Sequence, residues 1–195
     1  MSDAWRDPPS GLLGDASMYR SLDAVIATLT DAERRGARLT AIGQSVGFRR
    51  LFAVEVGPAD AEEISIVAAG IHAIEWIGVA AGRALLDAVL DAPPSDRRIV
   101  FFPLVNPDGY ASVEADQRAR RRRFRRGNEH AVDLNRNFPT HFQPQVRPKA
   151  LAPLVWSFGT QARGEPEIDA LLAHVDELVA RGARVTHALA LHSCG

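Results

Sequence analysis

His72 and Glu75 stand three positions apart in the stretch AAGIHAIEWIGVAAG, which is otherwise almost wholly small and apolar. Two ionisable side chains at the end of such a run are costly unless each is paired or holds something. A histidine followed three residues later by a glutamate offers a nitrogen and a carboxylate oxygen to a metal, although alone the spacing is common. His192 strengthens the reading, because it closes the run VTHALALHSCG in the same way. Two imidazoles and one carboxylate, all at strand ends, would make a zinc site with a fourth position open for water. His187 lies five positions before His192, so on a strand it points to the opposite face and is expected in the core or against a helix. His130, His141 and His174 have no comparable context and read as solvated.

Such a site needs elements that bring residues 72, 75 and 192 to one place. Three runs, ISIVAAG, RIVFFPLV and VTHALAL, are nearly continuous in apolar residues, as strands covered on both faces tend to be. Leu22, Val25, Ile26 and Leu29 recur at helical spacing, with Ser21 as N-cap and Gly36 as stop. The stretch RLTAIGQSVGFRRLFAVEVG predicts an antiparallel hairpin. Two further helices are predicted, IGVAAGRALLDAVLDAPP, closed by prolines, and EPEIDALLAHVDELVARG, with Pro166 near its start and Gly182 at its end. Strands alternating with helices imply an α/β fold, a sheet with helices on both faces. In open sheets of this kind ligands gather at the carboxyl ends of strands, where His72 and His192 fall. The region from about 110 to 160 is polar, arginine-rich and irregular, and reads as functional loop. GQSVG, residues 43–47, fits the nucleophile elbow of serine hydrolases, with His192 as the base of Ser45. That elbow needs a helix after the serine, whereas FRRLFAVEVG alternates as a strand, so the motif is expected to be a hairpin turn.

Composition narrows the function classes. With 195 residues the chain can bury one sizeable core. Its 23 basic and 24 acidic residues nearly cancel, so the molecule as a whole makes no electrostatic case for nucleic acid or an acidic membrane. Lys149 is the only lysine, and PKAL is not a Walker-type phosphate loop. No apolar stretch is long enough to span a bilayer, and the single cysteine, Cys194, forbids an internal disulfide. These features favour a cytoplasmic protein. Cys194 itself is expected to be a small buried filler.

Taken in order, GIHAIEWIG, VNPDGY, VDLNRNF, GEPEIDAL and LALHSCG resemble the zinc carboxypeptidase family typified by pancreatic carboxypeptidase A. IGQSVGFRRLFAVEVG is also similar to that family's early hairpin. The resemblance implies a mixed parallel and antiparallel sheet and one Zn2+ held by His72, Glu75 and His192. It implies that Asp133 accepts a hydrogen bond from the first zinc histidine and fixes its tautomer. Asn135 and Arg136 would grip the terminal carboxylate of a peptide or peptide-like substrate. Arg121 would polarise the scissile carbonyl. It sits among seven arginines in the nine residues 118–126, and Arg120, Arg122 and Arg123 remain open as alternatives.

In the mechanism so implied, zinc lowers the pKa of a bound water and a glutamate general base removes its proton. That glutamate lies well downstream of the second zinc histidine in the family, whereas Gly195 ends this sequence. The expectation is therefore a polar lead over residues 1–18 and, over 19–195, the N-terminal portion of one zinc carboxypeptidase-like domain with its C-terminal strands missing. The strand ending at His192 would then carry an unpaired apolar edge and favour association. The expected function is a metallocarboxypeptidase with neither membrane nor nucleic acid as partner. The alternatives are a related amidase or deacylase, or a non-catalytic zinc-containing module that binds acidic or nucleic-acid partners through the arginine loop.

Overall fold

Burial alternates along the strands and sets the layers. In β2 (Arg50–Val56) Ala53 packs into one apolar cluster and Val54 into another, and in β4 (Arg98–Phe102) Val100 and Phe102 oppose Phe101 in the same way. Both faces of the central strands are therefore covered, whereas the strand Arg184–Leu191, whose apolar run was expected to be covered likewise, is largely exposed. On one face Ile168, Leu171 and Leu178 of α4 (Pro166–Ala180) meet Ile64, Val100 and Phe102. On the other, Leu29 and Ala32 of α1 (Leu22–Arg34) join Leu86 and Leu90 of α2 (Trp76–Asp91) against Val54, Val67 and Phe101. Each fully buried Leu, Ile or Phe contributes roughly 1.5–3 kcal/mol. The computed structural model describes residues 20–151 and 156–193, so the expected polar lead and Cys194 lie outside the described residues.

The sheet runs β1-β2-β4-β3-β5, with β1 (Arg38–Gln44), β3 (Glu63–Ala69) and β5 (Arg184–Leu191) completing it. β1, β2 and β4 pair antiparallel, while β4, β3 and β5 pair parallel. This is the mixed sheet that the resemblance implies, with the helices on both faces that the strand and helix runs predict. The hairpin is present too: Ser45 N–H donates to the Arg49 carbonyl at 2.8 Å, and the buried Ser45 Oγ accepts from Arg49 N–H. The serine thus closes a turn between two strands and is no elbow nucleophile. No helix of the described residues is long and apolar enough to cross a membrane.

Three expectations need correction. Residues 107–118, placed within or beside the irregular region, form α3 (Pro107–Arg118), with Asn106 as N-cap and Pro107 in its first turn. Its buried positions include Asp108 and Asp116 as well as Tyr110 and Val113, so no apolar stripe announced it. His187 is exposed rather than in the core, because β5 is an edge strand among the described residues. His174, expected to be solvated, is on the buried face of α4, edge-on to Phe102 and 3.5 Å from Glu55.

Candidate metal centre

The end of β3 delivers the first two donors through a turn that glycine permits. Gly70 has φ +65°, and a Cβ there would lie 2.6 Å from Leu104 Cδ1. The chain then turns at His72, whose carbonyl accepts from Glu75 N–H, and α2 begins at Trp76. Trp76 stacks on Tyr110 with ring centroids 4.5 Å apart, and the Tyr110 hydroxyl donates to the Arg20 carbonyl, so α1, α2 and α3 brace this turn together. β5, parallel to β3, brings His192 to the same end of the sheet.

There the three side chains converge. His72 Nδ1 lies 2.8 Å from Glu75 Oε1, and His192 Nδ1 lies 2.8 Å from Glu75 Oε2. Candidate donor atoms of His72, Glu75 and His192 all fall within 4.8 Å of one another. His72 and Glu75 are buried, whereas His192 is exposed and leaves the cluster open on one side. Burial opposes ionisation of Glu75, but His192, His72 and the Ser193 N–H together hold its carboxyl below the ordinary value. Two imidazole nitrogens and an ionised carboxylate, open on one side, fit a catalytic type of zinc site.

Asp133 supports the cluster from behind. His72 Nε2–H donates to Asp133 Oδ1 at 3.1 Å, which leaves the Nδ1 lone pair for a metal. Burial would raise Asp133, yet the His72 and Arg126 contacts outweigh it and bring the carboxyl down to about 2. The same Oδ1 accepts from Asn135 N–H at 3.0 Å and so starts the short 3-10 turn Leu134–Arg136. One carboxylate thereby ties the histidine to the turn that carries Asn135 and Arg136. Those two residues border a cavity of about 380 Å³ with Phe138, His141 and Phe158. Arg136 is exposed and has no ion-pair partner among the described residues, so its guanidinium is available to a carboxylate.

The arginine beside the cluster is not the expected one. Arg126 Nε donates to Asp133 Oδ2 at 2.8 Å and its Nη1 lies 4.0 Å from Glu75 Oε1. Arg121 is exposed, and its backbone N–H closes the end of α3 on the Asp116 carbonyl. The seven arginines look alike in the sequence, and the loop path alone selects Arg126. Asn106 was missed altogether, although it stands in the VNPDGY motif. Fully buried, its Nδ2 donates to the carbonyls of Ile71 and Gly127 at 3.3 and 3.1 Å, and its Oδ1 accepts from Gly109 N–H. It thus pins the turn before His72, the loop after Arg126 and the first turn of α3 to one another. Ala73 N–H, donating to the Arg126 carbonyl, adds a second tie.

Comparisons with known proteins agree with this geometry. The family model described as zinc carboxypeptidase matches residues 22–195. Carboxypeptidase D of Drosophila melanogaster is 27% identical over 159 residues, covering 71% of this chain and 11% of the relative. Bovine thrombin-activatable fibrinolysis inhibitor, solved in complex with tick carboxypeptidase inhibitor, superposes with a TM-score of 0.74 at 21% identity, covering 92% of this chain and 62% of that one. Carboxypeptidase A from Helicoverpa armigera gives the same TM-score and identity, with 92% and 47% coverage. At that identity the structural likeness establishes the fold. The chain spans less than two thirds of the length of each of these relatives.

Proposed function

Since the chain belongs to the zinc carboxypeptidase family, we propose that it forms the metal-binding part of a metallocarboxypeptidase that releases the last residue of peptides. The observation that carries this reading is the convergence of His72, Glu75 and His192 to within 4.8 Å, backed by Asp133. When bound there, zinc supplies Lewis acidity toward a carbonyl and a more acidic water.

The chain's own residues do the rest. His72, Glu75 and His192 hold the ion, and Asp133 keeps His72 in the tautomer that presents Nδ1. Arg136, with Asn135, receives the terminal carboxylate of the substrate, since a guanidinium distinguishes a chain end from an internal peptide bond. Arg126, rather than Arg121, would offer the fixed positive charge toward the scissile carbonyl, a role supported by its Nη1 lying 4.0 Å from Glu75 Oε1. Glu75 and Asp133 are each committed to histidine, so neither is free to take the proton of the attacking water. That base is assigned to the remainder of a longer protein, a reading supported by the greater length of the relatives. A cytoplasmic location is part of the same proposal, supported by the single cysteine.

The test is metal content followed by substrate discrimination. Purified protein should carry one zinc per chain, and His72→Ala should lose it; equal zinc in both would end the reading. The full natural gene product should hydrolyse a peptide with a free terminus and spare its C-terminally amidated twin. Salt-sensitive RNA binding without any peptidase activity in that product would instead favour the binding-module alternative.

A further inference from the structure

The arginine-rich loop carries more positive charge than the metal centre uses. Arg118 pairs with Glu114, Arg125 with Asp116 and Arg126 with Asp133. Arg120, Arg121 and Arg123 are exposed, and among the described residues none has a carboxylate within ion-pair distance. Arg123 and Arg125 also line a cavity of about 280 Å³, together with Phe124, Trp156, Gly109, Ser112 and one carboxylate, that of Glu129.

The cavity adjoins the metal centre. Gly109 packs on Ala73, the residue after His72, so closely that a Cβ at 109 would lie 2.6 Å from Ala73 Cβ. Gly127, which also lines the cavity, follows Arg126 directly. Arg123 in the lining, with the exposed Arg120 and Arg121 on the same loop, outweighs the one lining carboxylate of Glu129, and these guanidinium groups beside aromatic walls suit an anionic group of side-chain size. A nucleic-acid track would need positive charge spread over several phosphates. Here it is confined to one loop, with Glu114 and Asp116 beside it, on a chain of formal net charge −1.

We propose that this loop and its cavity form a second binding site, for the side-chain carboxylates of an acidic peptide whose terminal carboxylate is held at Arg136. The terminal half of that statement rests on the function proposed above. The site would make the protein selective for peptides with Asp or Glu upstream of the residue removed.

The experiment measures binding to the zinc-loaded chain by fluorescence anisotropy. Two labelled hexapeptides are compared, ending in the same residue and carrying either three Glu or three Gln before it. The Glu peptide should bind about tenfold tighter at low salt, with the advantage largely lost at about 0.5 M salt because exposed charges are screened. Arg121→Gln/Arg123→Gln should reduce the Glu-to-Gln ratio to about 2, whereas Arg181→Gln/Arg184→Gln, the same charge change at the far end of β5, should preserve it. Equal binding of the two peptides, a ratio unmoved by the loop variant, or stronger competition by an oligouridylate than by the Glu peptide would overturn the proposal. Arg136→Ala separates the two readings. It should weaken both peptides by one factor and keep the ratio; if both bind undiminished and the ratio persists, the terminal grip fails and the loop site stands.

Discussion

Asp133 is the residue on which the centre turns, because its two oxygens serve three partners. Oδ1 takes the Nε2–H of His72 and the N–H of Asn135, while Oδ2 takes Arg126. Asp133→Ala should therefore loosen His72, Arg126 and the turn that carries Asn135 and Arg136 together. Outer partners of metal-bound histidines are worth about 10–100-fold in metal affinity. We expect that loss in zinc affinity for Asp133→Ala, read by competition with a chromophoric chelator, and a smaller loss for Asp133→Asn, which keeps an acceptor for His72. An unchanged zinc affinity in Asp133→Ala would show that the hydrogen bond does not orient His72. The donors were legible in the sequence because a histidine ending an apolar strand has little reason to be there unless it binds. Arg126 was not, since seven arginines in nine residues carry no local sign of which one turns inward.

At the scale of elements, the contact between α2 and the end of β5 fixes the spacing of Glu75 and His192. A Cβ on Gly78 would lie 2.7 Å from the Leu191 carbonyl oxygen, and backbone cannot swing aside as a side chain can. Gly78→Ala should push the end of β5 outward, carrying His192 with it, and lower zinc affinity about tenfold besides costing about 1–3 kcal/mol from overpacking. Gly82→Ala is the contrast, because there a Cβ would meet the Ala69 side chain at 3.1 Å and the Leu191 side chain at 3.3 Å. It should lower the melting temperature with zinc affinity retained. If Gly78→Ala binds zinc as well as the parent, the register of β5 does not set the site. The elements themselves were readable where a pattern is local: periodic apolar residues in the hairpin, α1 and α4, closing prolines at α2, and nearly continuous apolar runs in the other three strands. α3 escaped notice because Asp108 and Asp116 are buried on it, satisfied by Gly47 N–H and Arg49 in one case and Arg125 in the other. Such pairing is made across the fold and leaves no trace in a local pattern.

For the whole molecule, a second buried charge network lies at the opposite end of the sheet and governs acid stability rather than chemistry. Glu55, near the end of β2, receives Arg38 at 2.8 Å and Arg98 at 3.0 Å, with His174 Nε2 at 3.5 Å as a charge contact. Burial would raise its carboxyl, but His174, Arg38 and Arg98 together bring it from 4.5 down to about 2. A carboxyl lowered on folding stabilises the native state fully above its unfolded pKa and loses that contribution as pH falls toward the folded one. Each tenfold change in acidity is worth about 1.4 kcal/mol, so the contribution at neutral pH is on the order of 3 kcal/mol. Glu55→Gln should therefore be less stable than the parent by about 2–3 kcal/mol at pH 7, measured by urea unfolding. The gap should narrow between pH 4.5 and pH 2, where the parent gives up the same interaction. Other carboxylates titrate alike in both proteins, so the difference isolates Glu55 provided that distant sites stay additive. A gap that holds constant down to pH 2 would mean that the network stabilises by packing alone, and that the charge of Glu55 serves neither the sheet nor α4.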